Sequence, residues 1–190
     1  MCWLPIIAVN WSTKRLSICL LFPVMPSLVN AILFIFAIFL LIGCTSEAPQ
    51  SAHGQPTPAF TLTRLEGGTL AFPDALRGQV VAIRFWADWC PFCAPEMKAI
   101  EPVFRHHRER GLAILAVNVR QDHETVSAFV KRLDISYDVL LDENGEVARA
   151  YGVMGLPITF LLDRQGRLRT RILGESSAEV FERVVLELLE

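Results

Sequence analysis

The chain has 190 residues, enough for one ordinary domain and an appendage. It is 52% hydrophobic and 20% charged, with a net charge of −2 at pH 7, and its charges are unevenly spread. Only Lys14 and Arg15 are charged before Glu47, so the leader carries +2 and the remainder −4. A mildly acidic body without a basic stripe argues against nucleic-acid binding. Its aliphatic and aromatic content excludes disorder over most of its length.

Residues 1–44 are predicted to be a signal peptide or a membrane anchor. Ala31–Gly43 is a run of 13 residues without a polar side chain, which fits the apolar region of a signal peptide and is short for a membrane span. The basic pair before it favours export of the chain that follows. The sequence Leu-Ile-Gly-Cys that ends at Cys44 resembles a bacterial lipobox. We therefore predict lipidation of Cys44, with an uncleaved anchor as the alternative.

Residues 45–58 are rich in Pro, Ser, Gln, Gly and Thr, which predicts a flexible linker. The folded domain is predicted to span residues 59–190. It opens with two stretches of alternating apolar and polar residues, Phe60–Leu62 and Leu70–Phe72, on either side of a Glu-Gly-Gly turn. This pattern predicts a β-hairpin.

Strands and helices are then predicted to alternate. Apolar runs predict strands at residues 80–86, 112–119 and 139–141, and two further strands are predicted at 159–162 and 168–173, on either side of a turn at 163–166. Helices are predicted at 94–110, 124–133 and 146–151. The last helix is predicted to begin at Ser176, with Glu179 three residues later forming a capping box. The alternation predicts an α/β domain whose sheet contains parallel and antiparallel strands.

Two of the five cysteines, Cys90 and Cys93, fall in the predicted domain, within the sequence Trp-Cys-Pro-Phe-Cys. They follow a buried strand at the start of a helix, where the amides and the helix dipole stabilise a thiolate. A thiolate is the nucleophile of disulfide exchange, and the second thiol is placed to resolve a mixed disulfide. A zinc site would need two further ligands. A structural disulfide remains an alternative, although so small a loop stabilises little.

Two segments resemble the TlpA/ResA/CcmG-like branch of the thioredoxin superfamily. Residues 85–93 (FWADWCPFC) resemble its FWAxWCxxC motif, and residues 153–160 (VMGLPITF) resemble its GxxGxPxTF segment. The resemblance covers roughly residues 57–190. It implies a thioredoxin-like α/β fold, with a central mixed sheet flanked by helices, the N-terminal hairpin, and an inserted helix–strand unit around 122–142. It also implies an extracytoplasmic, membrane-tethered thiol–disulfide oxidoreductase, acting as a protein disulfide reductase.

The resemblance also assigns roles to residues. It implies that Cys90 is the exposed attacking cysteine, Cys93 the resolving one, and Pro157 a cis-proline beside the disulfide. Glu96 matches an acidic residue that tunes thiol protonation, so it is predicted to relay a proton to or from Cys93; the alternative is an ordinary glutamate in the first turn of a helix. Substrate contacts are predicted for Trp89, Pro91, Phe92 and Leu156.

Arg84 departs from the thioredoxin pattern, which has an aspartate five residues before the tryptophan that precedes the cysteines. An arginine in a buried strand needs a carboxylate partner, and Glu96 is a candidate. Such an ion pair would weaken the relay role of Glu96. The alternative is that Arg84 extends along the surface to reach solvent.

The implied reaction is exchange through a redox-active Cys90–Cys93 disulfide, for which no cofactor or metal is expected. The implied partners are protein disulfides, among them apocytochrome c, a membrane thiol electron donor, and the membrane itself through a lipid or an N-terminal helix. Two alternatives are a thiol peroxidase and a copper-binding redoxin, the second of which would use both thiolates. Ala87 weakens the peroxidase alternative, because it stands where such enzymes usually have Thr or Ser.

Overall fold

A computed structural model describes residues 52–190. The leader, Cys44 and the first part of the predicted linker lie outside these residues. In the described range, each predicted strand or helix is found within three residues of its predicted bounds. The strands are β1 (Phe60–Arg64), β2 (Thr69–Phe72), β3 (Val80–Trp86), β4 (Leu112–Val119), β5 (Asp138–Asp142), β6 (Ile158–Leu162) and β7 (Leu168–Leu173). The helices are α1 (Cys93–His107), α2 (His123–Val130), α3 (Glu146–Ala150) and α4 (Ala178–Leu189).

The seven strands form one mixed sheet in the order β2-β1-β5-β4-β3-β6-β7. Strands β3, β4 and β5 are parallel, whereas β6 pairs antiparallel with β3, and β7 pairs antiparallel with β6. The predicted hairpin is β1–β2, which joins the sheet where Thr63 pairs with Leu141. The α/β class, the mixed sheet, the hairpin and the inserted unit α2–β5 are confirmed.

The centre of the sheet is buried on both faces, as its continuous apolar runs predict. Every residue of β3 is buried. On one face, α1, α2 and α4 pack over the sheet, and the ring of Trp86 stacks on that of Phe129 with centroids 4.9 Å apart. On the other face, α3 and the hairpin pack around Phe85, Tyr151 and Phe160. Among residues 52–190, no helix is long and apolar enough to cross a membrane.

The end of the predicted linker is part of the folded domain. The amide of Gly54 donates to the carbonyl of Leu168 at 2.7 Å, and the amide of Leu168 donates to Gln55 at 3.0 Å. The Tyr151 hydroxyl donates to the carbonyl of Pro58 at 2.8 Å. The boundary predicted at residue 59 is therefore several residues late, because polar composition does not reveal backbone pairing with a sheet edge.

The N-terminus of α4 also differs from its prediction. Helix α4 begins at Ala178 and is capped by Ser177, whose Oγ accepts from the amide of Val180 at 3.4 Å. A hydrogen bond with Ser177 lowers the pKa of the Glu179 carboxyl. The capping box predicted from Ser176 is thus wrong by one residue. The Ser176 hydroxyl instead donates to Glu96.

We expect Ser177→Ala to lower the free energy of unfolding by about 1 kcal/mol, the usual cost of removing a helix N-cap. Urea denaturation followed by circular dichroism measures the change. Ser177→Asp is the control, since aspartate keeps an oxygen that accepts from the helix amides, and it should match the wild type. An unchanged midpoint for Ser177→Ala would show that the cap contributes nothing.

Candidate active site

Cys90 and Cys93 form a disulfide at the N-terminus of α1. Their sulfurs are 2.19 Å apart and their Cα atoms 5.4 Å apart. Cys90 lies in the loop after β3, and Cys93 is the first residue of α1. The N-cap position is held by Phe92, whose side chain caps no amide. The positive end of the helix dipole therefore lies at the disulfide, where it stabilises a thiolate.

The two cysteines differ little in exposure. Cys90 is 3% exposed and Cys93 0%, and both belong to the core cluster under α1. The prediction that the attacking cysteine is exposed is therefore wrong for the disulfide form, because both residues pack into that core. The roles that the resemblance implies for the two cysteines therefore remain predictions.

Pro157 follows a cis peptide bond with Leu156, as the resemblance implies. It directly precedes β6, in which Ile158 pairs with Phe85 of β3. This pairing brings Pro157 to the end of the strand that leads into Cys90. The carbonyl of Pro157 accepts from the amide of Gly174 at 2.9 Å, which ties it to the end of β7. Pro157 is buried and Leu156 is half-buried.

Exposed apolar side chains lie in the loop that carries the disulfide and on the segments next to Pro157. Trp89 is 69% exposed and Phe92 49%, and Pro91 between them is also exposed. Met154, three residues before Pro157, is 96% exposed, and Leu173, which pairs with Ile158, is 73% exposed. The sequence prediction missed Met154 and Leu173. The motif around Pro157 already contained Met154, whereas Leu173 depends on a strand register that the sequence does not provide.

A side-chain brace holds the loop before Cys90. The amide of Asp88 donates to Oε1 of Gln121 at 2.9 Å, and Nε2 of Gln121 donates to the Asp88 carboxylate. Asn118, fully buried at the end of β4, donates to the same Oε1 at 2.8 Å. Asp88 and Gln121 are 33 residues apart, so no local motif signals this contact.

A buried ion pair joins Arg84 to Glu96. Nη1 of Arg84 donates to Oε1 of Glu96 at 3.0 Å, and Nη2 donates to Oε2 at 2.6 Å. Arg84 is 1% exposed and Glu96 3%. The predicted pairing is confirmed, and extension of Arg84 to solvent is wrong, because β3 is covered on both faces. Thr159 accepts from Nη1 at 3.0 Å, and Ser176 donates to Oε1 at 2.8 Å.

Within the described residues, no group of three or more His, Cys, Asp or Glu side chains is arranged to hold a metal ion.

Comparison with known proteins agrees with this geometry. Residues 53–171 match the AhpC/TSA family. The chain is 33% identical over 140 residues to "Thiol-disulfide oxidoreductase ResA" of Bacillus cereus, and the matched region covers 74% of this chain and 80% of that protein. It is 34% identical over 134 residues to the protein of the same name from Geobacillus thermodenitrificans, covering 70% of this chain and 76% of that one.

Solved structures share the fold. A "thiol:disulfide interchange protein, thioredoxin family protein" from Chlorobium tepidum superposes with a TM-score of 0.67 at 26% identity, covering 73% of this chain and 99% of that one. The structure of "MTB dsbF in its mixed oxidized and reduced forms" superposes with a TM-score of 0.63 at 25% identity, covering 68% and 94%. The chain therefore belongs to the AhpC/TSA family and, within the thioredoxin superfamily, to the TlpA/ResA/CcmG-like thiol–disulfide oxidoreductases.

Proposed function

We propose that this thiol–disulfide oxidoreductase is a protein disulfide reductase in which Cys90 attacks and Cys93 resolves. The observation that carries the proposal is the disulfide at the N-terminus of α1, in which Cys90 lies in the loop outside the helix and Cys93 is the first residue of the helix. A thiolate formed at Cys90 is stabilised by the helix dipole.

The reaction balances with sulfur chemistry alone. The Cys90 thiolate attacks one sulfur of a substrate disulfide, the substrate S–S bond breaks, and the leaving thiolate takes a proton. Cys93 then loses its proton and attacks the Cys90 sulfur, which releases the second substrate thiol. The substrate gains two electrons and two protons, and the enzyme returns to the Cys90–Cys93 disulfide. A dithiol donor must then reduce this disulfide, and no other cofactor enters.

The surroundings of the disulfide support a protein segment as substrate. Trp89, Pro91 and Phe92 expose an apolar surface on one side, and Met154 and Leu173 expose another near Pro157. Exposed aromatic and aliphatic groups around a reactive centre are typical of protein-binding surfaces. In this proposal the backbone at Leu156 pairs with an extended substrate segment, and Pro157 packs against the mixed disulfide.

The cellular setting belongs to the same proposal. An oxidising compartment already has disulfides in excess, so a dedicated exchange enzyme there acts most usefully as a reductase. The leader would place the domain outside the cytoplasm, tethered through a lipid on Cys44 or an uncleaved anchor. A membrane thiol donor would keep it reduced, and apocytochrome c is one candidate target.

Catalysed reduction of a protein disulfide tests the direction of transfer. The full chain in detergent is mixed with insulin and dithiothreitol, and chain separation is followed by turbidity. We expect multiple turnovers at a rate well above that of dithiothreitol alone. Failure to accelerate reduction, together with rapid oxidation of a reduced unfolded protein by the disulfide form, would reverse the assigned direction.

We expect Trp89→Ala to lower kcat/KM for a protein disulfide by about tenfold, the effect of losing ~1.4 kcal/mol from an aromatic contact. The rate with a small disulfide such as oxidised glutathione serves as the internal control and should change little, because so small a substrate covers little of this surface. Equal losses with both substrates would place Trp89 in the chemistry of the sulfurs rather than in substrate binding.

A further inference from the structure

The Arg84–Glu96 pair connects the segments that carry the site. Arg84 lies on β3, which leads into Cys90, and Glu96 lies on α1, three residues after Cys93. Thr159, bonded to Arg84, comes two residues after Pro157. Ser176, bonded to Glu96, precedes the cap of α4. The exchange steps proposed above use none of these four side chains.

The Glu96 carboxylate is surrounded by hydrogen-bond donors. It accepts three hydrogen bonds, two from the guanidinium and one from Ser176. Charge-assisted, bidentate bonds of this kind favour the ionised carboxylate, whereas a buried carboxyl without a partner resists ionisation. Nε of Arg84 is buried without a hydrogen-bond partner, so the guanidinium is held through its two terminal nitrogens. Arg84 thus supplies two of these three hydrogen bonds and the opposite charge of the ion pair.

The groups that surround the Arg84–Glu96 pair do not take over the role of Arg84. The Tyr137 hydroxyl donates to the carbonyl of Met97 at 2.9 Å, and burial raises the pKa of Tyr137, which keeps it neutral. The Glu101 carboxylate accepts from Arg105 at 2.5 Å and from Ser136. The groups from β6 and from the segment before α4, Thr159 and Ser176, carry no charge. Other ionisable residues near these segments, Lys98, Glu175 and Glu179, are exposed to solvent.

We propose that Arg84 is a positioning residue of the exchange reaction: it holds Glu96 as a fixed carboxylate that exchanges no proton with the thiols, so that Cys90 ionises independently. This inference rests on the proposed function in one respect, the assignment of Cys90 as the attacking thiol. It replaces the relay that the sequence predicts for Glu96 with a static, charge-compensated pair.

The pH dependence of Cys90 alkylation tests the proposal. The reduced full chain in detergent reacts with iodoacetamide between pH 4 and 10, and peptide mass spectrometry quantifies the Cys90 adduct separately from the other cysteines. We expect a single ionisation in the wild type. In Arg84→Met, the freed Glu96 should add a second, coupled ionisation and slow alkylation at pH 7 by about tenfold, the size of a one-unit charge effect on a thiol.

Three variants serve as controls. Arg84→Lys keeps the positive charge and should restore the single ionisation. Glu101→Gln removes another buried carboxylate of α1 and should leave the profile unchanged. The double variant Arg84→Met/Glu96→Gln has no charge to compensate and should again show one ionisation. If Arg84→Met does not fold, the comparison of the wild type with the double variant still tests the proposal.

Two results would overturn the proposal. One is a second ionisation in the wild type that disappears in the double variant, since Glu96 would then exchange a proton despite Arg84. The other is a folded Arg84→Met protein with the wild-type profile. Neither result depends on turnover, so failure of the proposed function would appear separately, as absent insulin reduction by a protein whose Cys90 ionises normally.

Discussion

Replacing Cys90 with alanine is expected to abolish catalysed reduction of a protein disulfide, lowering the rate by at least about a thousandfold, as loss of a nucleophile does. In this variant Cys93 is the remaining cysteine of the active-site pair, and the structure places that residue inside the core cluster at 0% exposure. Reduced insulin is measured by turbidity with dithiothreitol as the donor. The rate should fall to that of dithiothreitol alone.

Cys93→Ala is the matched comparison for that result. It keeps the Cys90 sulfur and the helix N-terminus, so the pre-reduced variant, without dithiothreitol, should complete the first attack and then stall as a mixed disulfide, giving no more than one turnover. If Cys90→Ala retained activity and Cys93→Ala lost the ability to attack, the two cysteines would have the opposite roles. Circular dichroism of both variants checks that α1 is intact.

Arg84→Met has the largest expected effect on stability, a loss of about 3–5 kcal/mol in the free energy of unfolding. Removing one partner of a buried ion pair leaves the other charge uncompensated. Here Glu96 is 3% exposed, and Ser176 would remain as its one hydrogen-bond donor from the present network. Denaturation in guanidinium chloride measures the loss.

The double variant Arg84→Met/Glu96→Gln should recover most of this stability, because a neutral pair of similar volume avoids the desolvation of two charges. Arg64→Met is the matched control: its partner Asp138 is half-exposed, with the two side chains 33% and 39% exposed. It should cost no more than ~1 kcal/mol. A loss at Arg84 as small as that at Arg64 would show that water reaches the buried pair.

Much of the fold can be predicted from local sequence patterns. The apolar run of β3 and the alternation in β1 and β2 predict their strands, because burial on two faces and on one face leave different periodicities. The sequence predictions fail where contacts between distant segments determine the local structure. Ser176 has the capping-box spacing to Glu179, yet its hydroxyl donates to Glu96, and Ser177 caps the helix instead. Pairing of residues 54 and 55 with Leu168 is likewise invisible to composition.

Part of the candidate site could likewise be predicted from the sequence, and part could not. Cys90 and Cys93 are found from spacing alone, and the partner of Arg84 follows from the rule that a buried cation needs a carboxylate. The brace between Asp88 and Gln121 could not be predicted, since it joins residues far apart in the chain whose strand ends meet only in the folded sheet. The near-complete burial of Cys90 depends on packing in the core cluster, which a motif does not encode.

Trapping by the Cys93→Ala variant tests the central claim most directly. The reduced full-length variant is mixed with a protein disulfide, quenched with acid and analysed by non-reducing electrophoresis and peptide mass spectrometry. The proposed mechanism predicts a mixed disulfide between the substrate and Cys90, sensitive to dithiothreitol and absent when Cys90 is also replaced. A chain that captures no substrate, or captures it only through a cysteine other than Cys90, would contradict it.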